Sequence, residues 1–258
     1  MHFPAQSRRE AASSPFLVIR PARAFVFVVI AVSLLAGCGF GPSSTATTGA
    51  NAPGVVLTPT QRAAYIFVAI GASETFGTGA DRPATQNWPS DLSNRLPPDS
   101  QVVNLGIPGI TAPQALQNEL PEALDAQPNL VTVWLGTNDI IDQVSLSDYQ
   151  QSLDSILGQL QQQTHAHIAV ANIPNLTLLP RFNSYDPKQL QALVGQWNQV
   201  VKQEIAAHGD ILLDVYSHTS EILGNPGYLS GDGLHPSTQG YQQIAAFFYQ
   251  VLHKNGVI

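Results

Sequence analysis

The chain has 258 residues, with 11 lysines and arginines against 18 aspartates and glutamates, and a formal charge of −7 at neutral pH. Four of the basic residues and one of the acidic residues precede position 38, so the rest of the chain has 7 basic and 17 acidic side chains, a charge of −10. Binding to nucleic acid or to anionic lipid needs a basic surface, so neither is expected of this protein.

The first 37 residues have the composition of a secretory signal peptide. Four arginines and a single acid lie within residues 1–23, and residues 24–37 are almost wholly apolar. An apolar run of that length is too short to span a bilayer comfortably as a helix. A basic flank followed by a short apolar core is typical of an export signal. We therefore predict that residues 1–37 form a signal peptide.

Cys38, the only cysteine of the chain, follows Leu35, Ala36 and Gly37. This sequence resembles a bacterial lipobox, in which the cysteine is lipidated and becomes the new N-terminus. The alternative is a small buried residue in a simple membrane-anchor helix. We favour lipidation at Cys38, because small residues precede the cysteine and a polar segment follows it. Membrane association is then expected to come from the acyl anchor.

Residues 38–61 are predicted to be the lipidated cysteine and a flexible linker. Residues 39–60 are rich in Gly, Pro, Ser and Thr and carry no charge, which is linker composition. A flexible segment of this length reaches roughly 25 Å. Residues 62–258 then remain for one domain with a substantial core.

Short apolar runs alternate with amphipathic segments along this domain. The apolar runs have the composition of parallel strands that are buried on both faces, and they lie at residues 65–70, 101–105, 130–135, 167–171 and 211–215. Helical spacing predicts helices over residues 113–124, 146–162, 187–207 and 237–253. This alternation predicts a three-layer α/β/α domain with a mainly parallel five-stranded sheet.

Polar residues and glycines follow the first three predicted strands. Ser73 lies three residues after the first strand, Gly109 follows the second, and Asn138 follows the third. Because the carboxyl ends of parallel strands meet at one edge of a sheet, these residues are expected to lie together. His235 directly precedes the last helix, and a loop there could bring it to the same edge.

Four segments around these residues resemble the blocks of the SGNH hydrolases, the GDSL-type esterases and lipases, a family with a flavodoxin-like α/β fold. The segments are Gly-Ala-Ser at 71–73, Asn-Leu-Gly-Ile-Pro-Gly at 104–109, Gly-Thr-Asn-Asp at 136–139 and Asp-Gly-Leu-His-Pro at 232–236. The family's Ser, Gly, Asn and His then fall on Ser73, Gly109, Asn138 and His235. Asp232, three residues before the histidine, is the expected acid.

The resemblance implies a division of chemical roles. A serine hydroxyl needs a base to take its proton, and His235 would accept it and return it to the leaving alcohol, while Asp232 holds the imidazole tautomer. The oxyanion would be stabilised by the backbone N–H groups of Ser73 and Gly109 and by the amide of Asn138. No metal and no organic cofactor are expected.

One position departs from the family pattern, and its neighbour needs comment. The first block usually reads Gly-Asp-Ser, whereas this chain has Ala72 in place of the aspartate. Since Asp232 can hold His235, Ala72 affects the expected loop geometry more than the expected activity. Glu74 follows the serine directly, and because neighbouring side chains diverge we expect it to be solvated.

Other candidate residues are weaker. His165 and His167 alternate at the start of a predicted strand and could begin a metal site, but no third ligand has a recognisable spacing, so a structural role is favoured. The residues around Ser73 lack the last glycine of an α/β-hydrolase nucleophile elbow. Arg181 and Phe182 follow the fourth strand and could line a substrate cleft, although a surface loop explains them equally well.

Three classes of function fit these residues. The favoured one is an exported, lipid-anchored serine ester hydrolase, a monomer that acts on small-molecule esters through an acyl-Ser73 intermediate. The alternatives are a non-catalytic module that binds an ester or glycan, and an acyltransferase with a sugar acceptor. No insertion is long enough for a large lid, so an open, shallow cleft and small or flexible acyl groups, including sugar acetates, are expected.

Overall fold

The computed structural model describes residues 65–222 and 225–258. The predicted signal peptide, the lipidation site at Cys38, the linker and the start of the domain at residue 62 lie outside the described residues. Within the described ranges, none of the helices combines the length and the apolar character needed to cross a bilayer.

Five strands form one parallel sheet, as the alternating pattern predicts. In chain order they are β1 (Ile66–Gly71), β2 (Gln101–Asn104), β3 (Leu130–Trp134), β4 (His167–Ala171) and β5 (Ile211–Leu213). Their order in the sheet is β2-β1-β3-β4-β5, and every neighbouring pair is parallel. The chain therefore builds outward in both directions from β1 and β3, which leaves the crevice of a doubly wound sheet at their carboxyl ends.

Helices connect the strands on both sides of this sheet. They are α1 (Ser73–Phe76), α2 (Trp88–Ser93), α3 (Ala112–Asn118), α4 (Leu120–Asp125), α5 (Thr137–Ile141), α6 (Leu146–Gln163), α7 (Pro187–His208), α8 (Val215–Ile222) and α9 (Thr238–Lys254). The predicted α/β/α fold is confirmed.

One face of the sheet packs against α2, α8 and α9 through a cluster of aromatic side chains. Trp88 on α2 is fully buried and lies 4.8 Å from the ring of Phe248 on α9, in an edge-on contact. Trp134 of β3 completes the cluster, at 5.7 Å from Phe248. The helices α3, α4, α6 and α7 pack on one another at the other face. Edge-on aromatic packing of this kind adds to the area that each ring buries.

The long helices begin where the sequence supplies capping groups. The side chain of Ser237 accepts a hydrogen bond from the backbone N–H of Gly240 at 3.2 Å, which confirms the N-cap predicted for the last helix. Asp186 caps α7 in the same way through the N–H of Gln189. Each cap satisfies a donor that has no partner within the first turn of a helix. The helix α9 thus starts shortly after His235 and fixes the exit of that loop.

Two predicted elements differ from the structure. The single helix predicted over residues 113–124 is wrong, because the chain breaks at Glu119 into α3 and α4. Pro121 causes the break, since proline lacks an N–H to continue the ladder and its ring restricts the residue before it. The fifth strand ends at Leu213, because Asp214 accepts a hydrogen bond from the N–H of Ser217 and starts α8 instead.

Candidate active site

Ser73 lies at the first turn after β1, at the carboxyl edge of the sheet. The backbone N–H groups of Thr75 and Phe76 both donate to the carbonyl of Ala72, which closes this turn. Gly71 is required there, because a Cβ at that position would overlap the Thr75 hydroxyl and lie 2.8 Å from the Trp134 carbonyl oxygen. The side chain of Ala72 is itself buried. Ala72 therefore fits the local packing of a turn that presents Ser73 at the head of α1.

The structure brings Ser73, His235 and Asp232 into one hydrogen-bonded chain. Ser73 Oγ lies 2.8 Å from His235 Nε2, and His235 Nδ1 lies 2.6 Å from Asp232 Oδ2. A carboxylate facing Nδ1 places the imidazole proton on that nitrogen, which leaves Nε2 as the acceptor for the serine hydroxyl. The three groups have the order and reach of a nucleophile, a base and an orienting acid.

Asp232 is held as a carboxylate by its hydrogen bonds. Its Oδ1 accepts from the N–H groups of Leu234 and His235 and from the Ser230 hydroxyl, all at 2.8–2.9 Å. Burial alone would raise the pKa of Asp232, but these donors and the His235 side chain outweigh it and hold the pKa well below its usual value. Asp232 is therefore ionised next to His235 at neutral pH.

The loop that carries Asp232 and His235 is a short, closed turn. The N–H of Ser230 donates to the carbonyl of His235 at 2.8 Å, and an antiparallel bridge joins Leu229 to Pro236. Gly233, with φ +71°, provides the positive backbone angle that lets the turn close. One tight loop can thus present both side chains from the same side.

The three expected oxyanion donors lie on neighbouring loops. The Asn138 side chain, at the start of α5, donates to the carbonyl of Ile110 at 3.0 Å, next to Gly109. Gly109 has φ +83°, with open space where a side chain would be. Within the described residues, the backbone N–H groups of Ser73 and Gly109 donate to no acceptor. These two N–H groups are thus available to a substrate oxygen.

A side chain that the sequence interpretation missed ties the Gly109 loop to the serine turn. Asn104, the last residue of β2, donates from its amide to the carbonyl of Thr75 at 2.7 Å. Its oxygen accepts from the N–H of Gly106 at 3.0 Å. The N–H of Ile107 also donates to the carbonyl of Gly71. The asparagine at the end of β2 was the available sequence signal, since it opens the second motif.

Two buried acids support the same loops and were also missed. Asp139 is fully buried and accepts from the N–H of Ala112 at 2.9 Å, which fixes the start of α3. Glu119 is 1% exposed, in the break between α3 and α4. Burial raises the pKa of Asp139 to about 6 and that of Glu119 to about 8, although nearby backbone N–H groups lower both. Glu119 is therefore a neutral carboxylic acid at neutral pH.

Glu74 is not solvated, contrary to expectation. It is 9% exposed, and its Oε2 lies 3.4 Å from Ser73 Oγ. Both residues belong to the short helix α1, and both are buried. Glu74 also lines a small cavity bounded by residues of β3, α8 and α9, among them Trp134, Val215 and Ile244. A small, partly open cavity thus lies beside the residue that follows the serine.

The remaining sequence candidates lie elsewhere or contribute little. His167 is the first residue of β4, at the amino edge of the sheet opposite Ser73. Across the described ranges, the one group of three close side chains that could hold a metal ion is Asp154, Glu204 and His208. His165 and His167 do not belong to this group. Phe182 is buried, whereas the N–H of Arg181 donates to the carbonyl of Gly233 and supports the His235 loop.

Comparison with known proteins agrees with this geometry. The family model described as GDSL-like lipase/acylhydrolase matches residues 69–243. The chain is 29% identical over 187 residues to esterase TesA of Pseudomonas aeruginosa, covering 71% of this chain and 85% of the relative. The protein belongs to the GDSL-like lipase/acylhydrolase family, also called the SGNH hydrolases, and is a hydrolase of that family.

Solved structures share the fold at low sequence identity. A crystal structure of TesA superposes with a TM-score of 0.62 at 22% identity and covers 75% of this chain and 99% of its own. Axe2, an acetylxylan esterase from Geobacillus stearothermophilus, gives a TM-score of 0.61 at 21% identity, with 73% of this chain and 94% of its own covered. These likenesses confirm the α/β architecture.

The buried acid Glu119 generates a prediction about stability. Its carboxyl stays protonated in the folded protein up to a pKa of about 8, whereas in the unfolded chain it ionises above about 4.5. Between these values the folded state binds more protons, so this group makes the free energy of unfolding fall by roughly 1.4 kcal/mol per pH unit as pH rises. Glu119→Gln mimics the neutral acid and should remove that slope.

The measurement is urea denaturation of both proteins at pH 5 and pH 8. We expect Glu119→Gln to be close to wild type at pH 5 and clearly more stable at pH 8. Glu122→Gln, a change at an exposed acid on α4, is the control and should follow wild type at both values. A constant difference between Glu119→Gln and wild type across this range would contradict the assignment.

Proposed function

We propose that this protein is a serine ester hydrolase that cleaves small carboxylic esters through an acyl-Ser73 intermediate. The observation that carries the proposal is the chain from Ser73 Oγ to His235 Nε2 at 2.8 Å and from His235 Nδ1 to Asp232 at 2.6 Å. Membership of the GDSL-like lipase/acylhydrolase family supports it.

The first step forms the acyl-enzyme. His235 Nε2 takes the proton of Ser73 as the Oγ forms a bond to the ester carbonyl carbon, and the carbonyl oxygen becomes an oxyanion. The N–H groups of Ser73 and Gly109 and the amide of Asn138 are the groups we assign to stabilise that charge. When the tetrahedral intermediate collapses, the C–O bond to the alcohol breaks, and the alcohol takes the proton from His235.

The second step hydrolyses the acyl-enzyme. His235, neutral again, takes a proton from water, whose oxygen attacks the acyl carbon. Collapse then breaks the bond to Ser73 Oγ, which recovers its proton from His235, and the carboxylic acid leaves. Asp232 faces the imidazolium in both steps, so its ionised state favours the charge that His235 acquires. Apart from the ester and its products, every group in this scheme belongs to the chain or is water.

The relatives support an ester as substrate. TesA is named an esterase, and Axe2 is named an acetylxylan esterase. A module that only binds an ester would not need the complete hydrogen-bonded chain of Ser73, His235 and Asp232. A sugar acceptor in place of water would use the same residues, and no contact among the described residues favours it. We therefore assign ester hydrolysis with water as the acceptor.

We also propose that the enzyme is exported as a monomer and held at the bacterial cell envelope by lipid on Cys38. The support is the basic and apolar sequence of residues 1–37 and the lipobox-like residues that precede Cys38. The acidic charge of the remaining chain gives no electrostatic attraction to anionic lipid. Since one acyl chain gives marginal membrane binding, the diacylglyceryl group of bacterial lipoproteins would supply stable attachment.

Ser73→Ala should reduce ester hydrolysis by roughly 10³-fold or more, because it removes the attacking oxygen. Turnover of p-nitrophenyl acetate and butyrate, with thermal unfolding of the same preparation, measures this. Ser147→Ala, a change at an exposed serine on α6, is the matched control and should keep wild-type activity. Near-normal turnover by folded Ser73→Ala would remove this residue from the mechanism.

Cys38→Ser should abolish lipid attachment, because serine offers no thiol for the thioether. Growth of a bacterial host with a fatty-acid analogue should label the wild-type protein and leave the variant unlabelled. A truncated protein that starts near residue 60 should be soluble and active, since the proposed site lies wholly within the later residues. Wild-type protein that takes up no label and keeps its uncleaved N-terminus in the membrane would instead indicate a simple anchor helix.

A further inference from the structure

Glu74 places a carboxylate beside the nucleophile. The letters GDSL in the family name stand for Gly-Asp-Ser-Leu, so Glu74 occupies the position of the leucine. In the Gly-Asp-Ser-Leu block, this chain reads Gly71, Ala72, Ser73 and Glu74. The Glu74 side chain is buried, and its Oε2 lies 3.4 Å from Ser73 Oγ. Glu74 thus puts an ionisable group directly beside the reacting atom.

Within the described part of the chain, no lysine, arginine or histidine forms an ion pair with this carboxylate. The ion pairs among the described residues join histidines to Asp154, Glu221 and Asp232, so none of them includes Glu74. The hydroxyl of Tyr241 donates to the carbonyl of Thr78 at 2.7 Å. Burial raises the pKa of Tyr241, and the negative charges of Glu74 and Asp232 raise it further. The Ser73 hydroxyl lies 3.4 Å from Glu74 Oε2, but its single proton also serves the shorter contact with His235 Nε2, at 2.8 Å.

A buried carboxylate without a cationic partner is unfavourable, and proteins seldom keep one without a use for it. The cavity that Glu74 lines indicates what this carboxylate could bind. It measures about 30 Å³, whereas a single water needs roughly 10–15 Å³, so it admits a group of a few atoms. Apart from Glu74 and two threonine hydroxyls, its walls are apolar, with Trp134, Leu179, Val215, Ile222, Leu234 and Ile244. Glu74 is its one acid.

We propose that Glu74 is a specificity-determining residue that binds a protonated amine on the substrate and so selects compact esters bearing a cationic group. This inference rests on the ester hydrolysis proposed above. A substrate ammonium in the cavity would supply the countercharge that the chain lacks, in surroundings where apolar walls strengthen the attraction. The acidic balance of the chain also attracts cationic substrates.

The same charge bears on the reaction itself. Attack by Ser73 places negative charge on the substrate oxygen, and a second negative charge nearby opposes its formation. A substrate that brings its own ammonium cancels this opposition, whereas a plain acyl ester does not. Wild type should therefore turn over plain esters slowly, and removal of the Glu74 charge should speed them.

The test compares methyl 3-aminopropanoate with methyl butanoate, whose acyl groups have the same number of heavy atoms. Each kcat/KM is divided by the hydroxide-catalysed rate of the same ester, so that intrinsic reactivity cancels. Wild type should prefer the ammonium ester by roughly tenfold or more, as expected when a polar site loses its partner. Glu74→Gln should lose the preference, and Glu74→Leu should reverse it by accelerating methyl butanoate. Glu122→Gln should leave the ratio unchanged.

A second readout does not depend on turnover. In the Ser73→Ala background, 3-aminopropanamide and butanamide are titrated while amide shifts are followed by NMR. The amine should bind more tightly, and Glu74→Gln in the same background should remove the difference. Hydrolysis of both esters without an amine preference, or equal binding of the two amides, would overturn the inference. Tighter binding of the amine by a protein that hydrolyses neither ester would support the role of Glu74 and contradict the proposed hydrolysis.

Discussion

The hydrogen bond between His235 Nε2 and Ser73 Oγ joins two segments that are 162 residues apart in the chain. Neither end could hold this distance alone. Ser73 is fixed by the turn that follows the buried strand β1, and His235 is fixed by a closed loop that ends in the capped helix α9. The α9 helix in turn packs on α2 and β3 through Phe248. The packing of these aromatic side chains thus helps to fix the distance between His235 and Ser73.

The acids of the site differ in protonation because their surroundings differ. Asp232 receives several hydrogen bonds and stays ionised, so it can stabilise a positive imidazole. Glu119 has no such donors within the geometry of a good hydrogen bond and is held neutral by burial. A neutral Glu119 near the backbone of Gly71 and Ile107 adds no negative charge to the loops that carry the proposed oxyanion donors. One domain therefore keeps ionised and neutral carboxyls in separate places, as is common at catalytic sites.

The sequence predicted the sheet because buried parallel strands are continuous apolar runs, and it predicted the gathering of Ser73, Gly109 and Asn138 because parallel strands end at one edge. What escaped prediction depends on contacts distant in sequence. Glu74 is buried and lines a cavity together with residues of β3, α8 and α9, which side-chain divergence along the chain cannot show. The roles of Asn104 and Glu119 likewise depend on which backbone groups lie across from them. The break at Pro121 could have been predicted, because its signal is local.

The central claim is that Ser73 is a nucleophile activated by His235, and covalent labelling tests it most directly. A serine-reactive fluorophosphonate should modify wild-type protein at Ser73, located by mass spectrometry of the digested adduct, because an activated hydroxyl reacts where ordinary serines do not. His235→Ala should stay folded and react far more slowly. Modification of another serine, or equal rates of labelling in wild type and His235→Ala, would contradict the account.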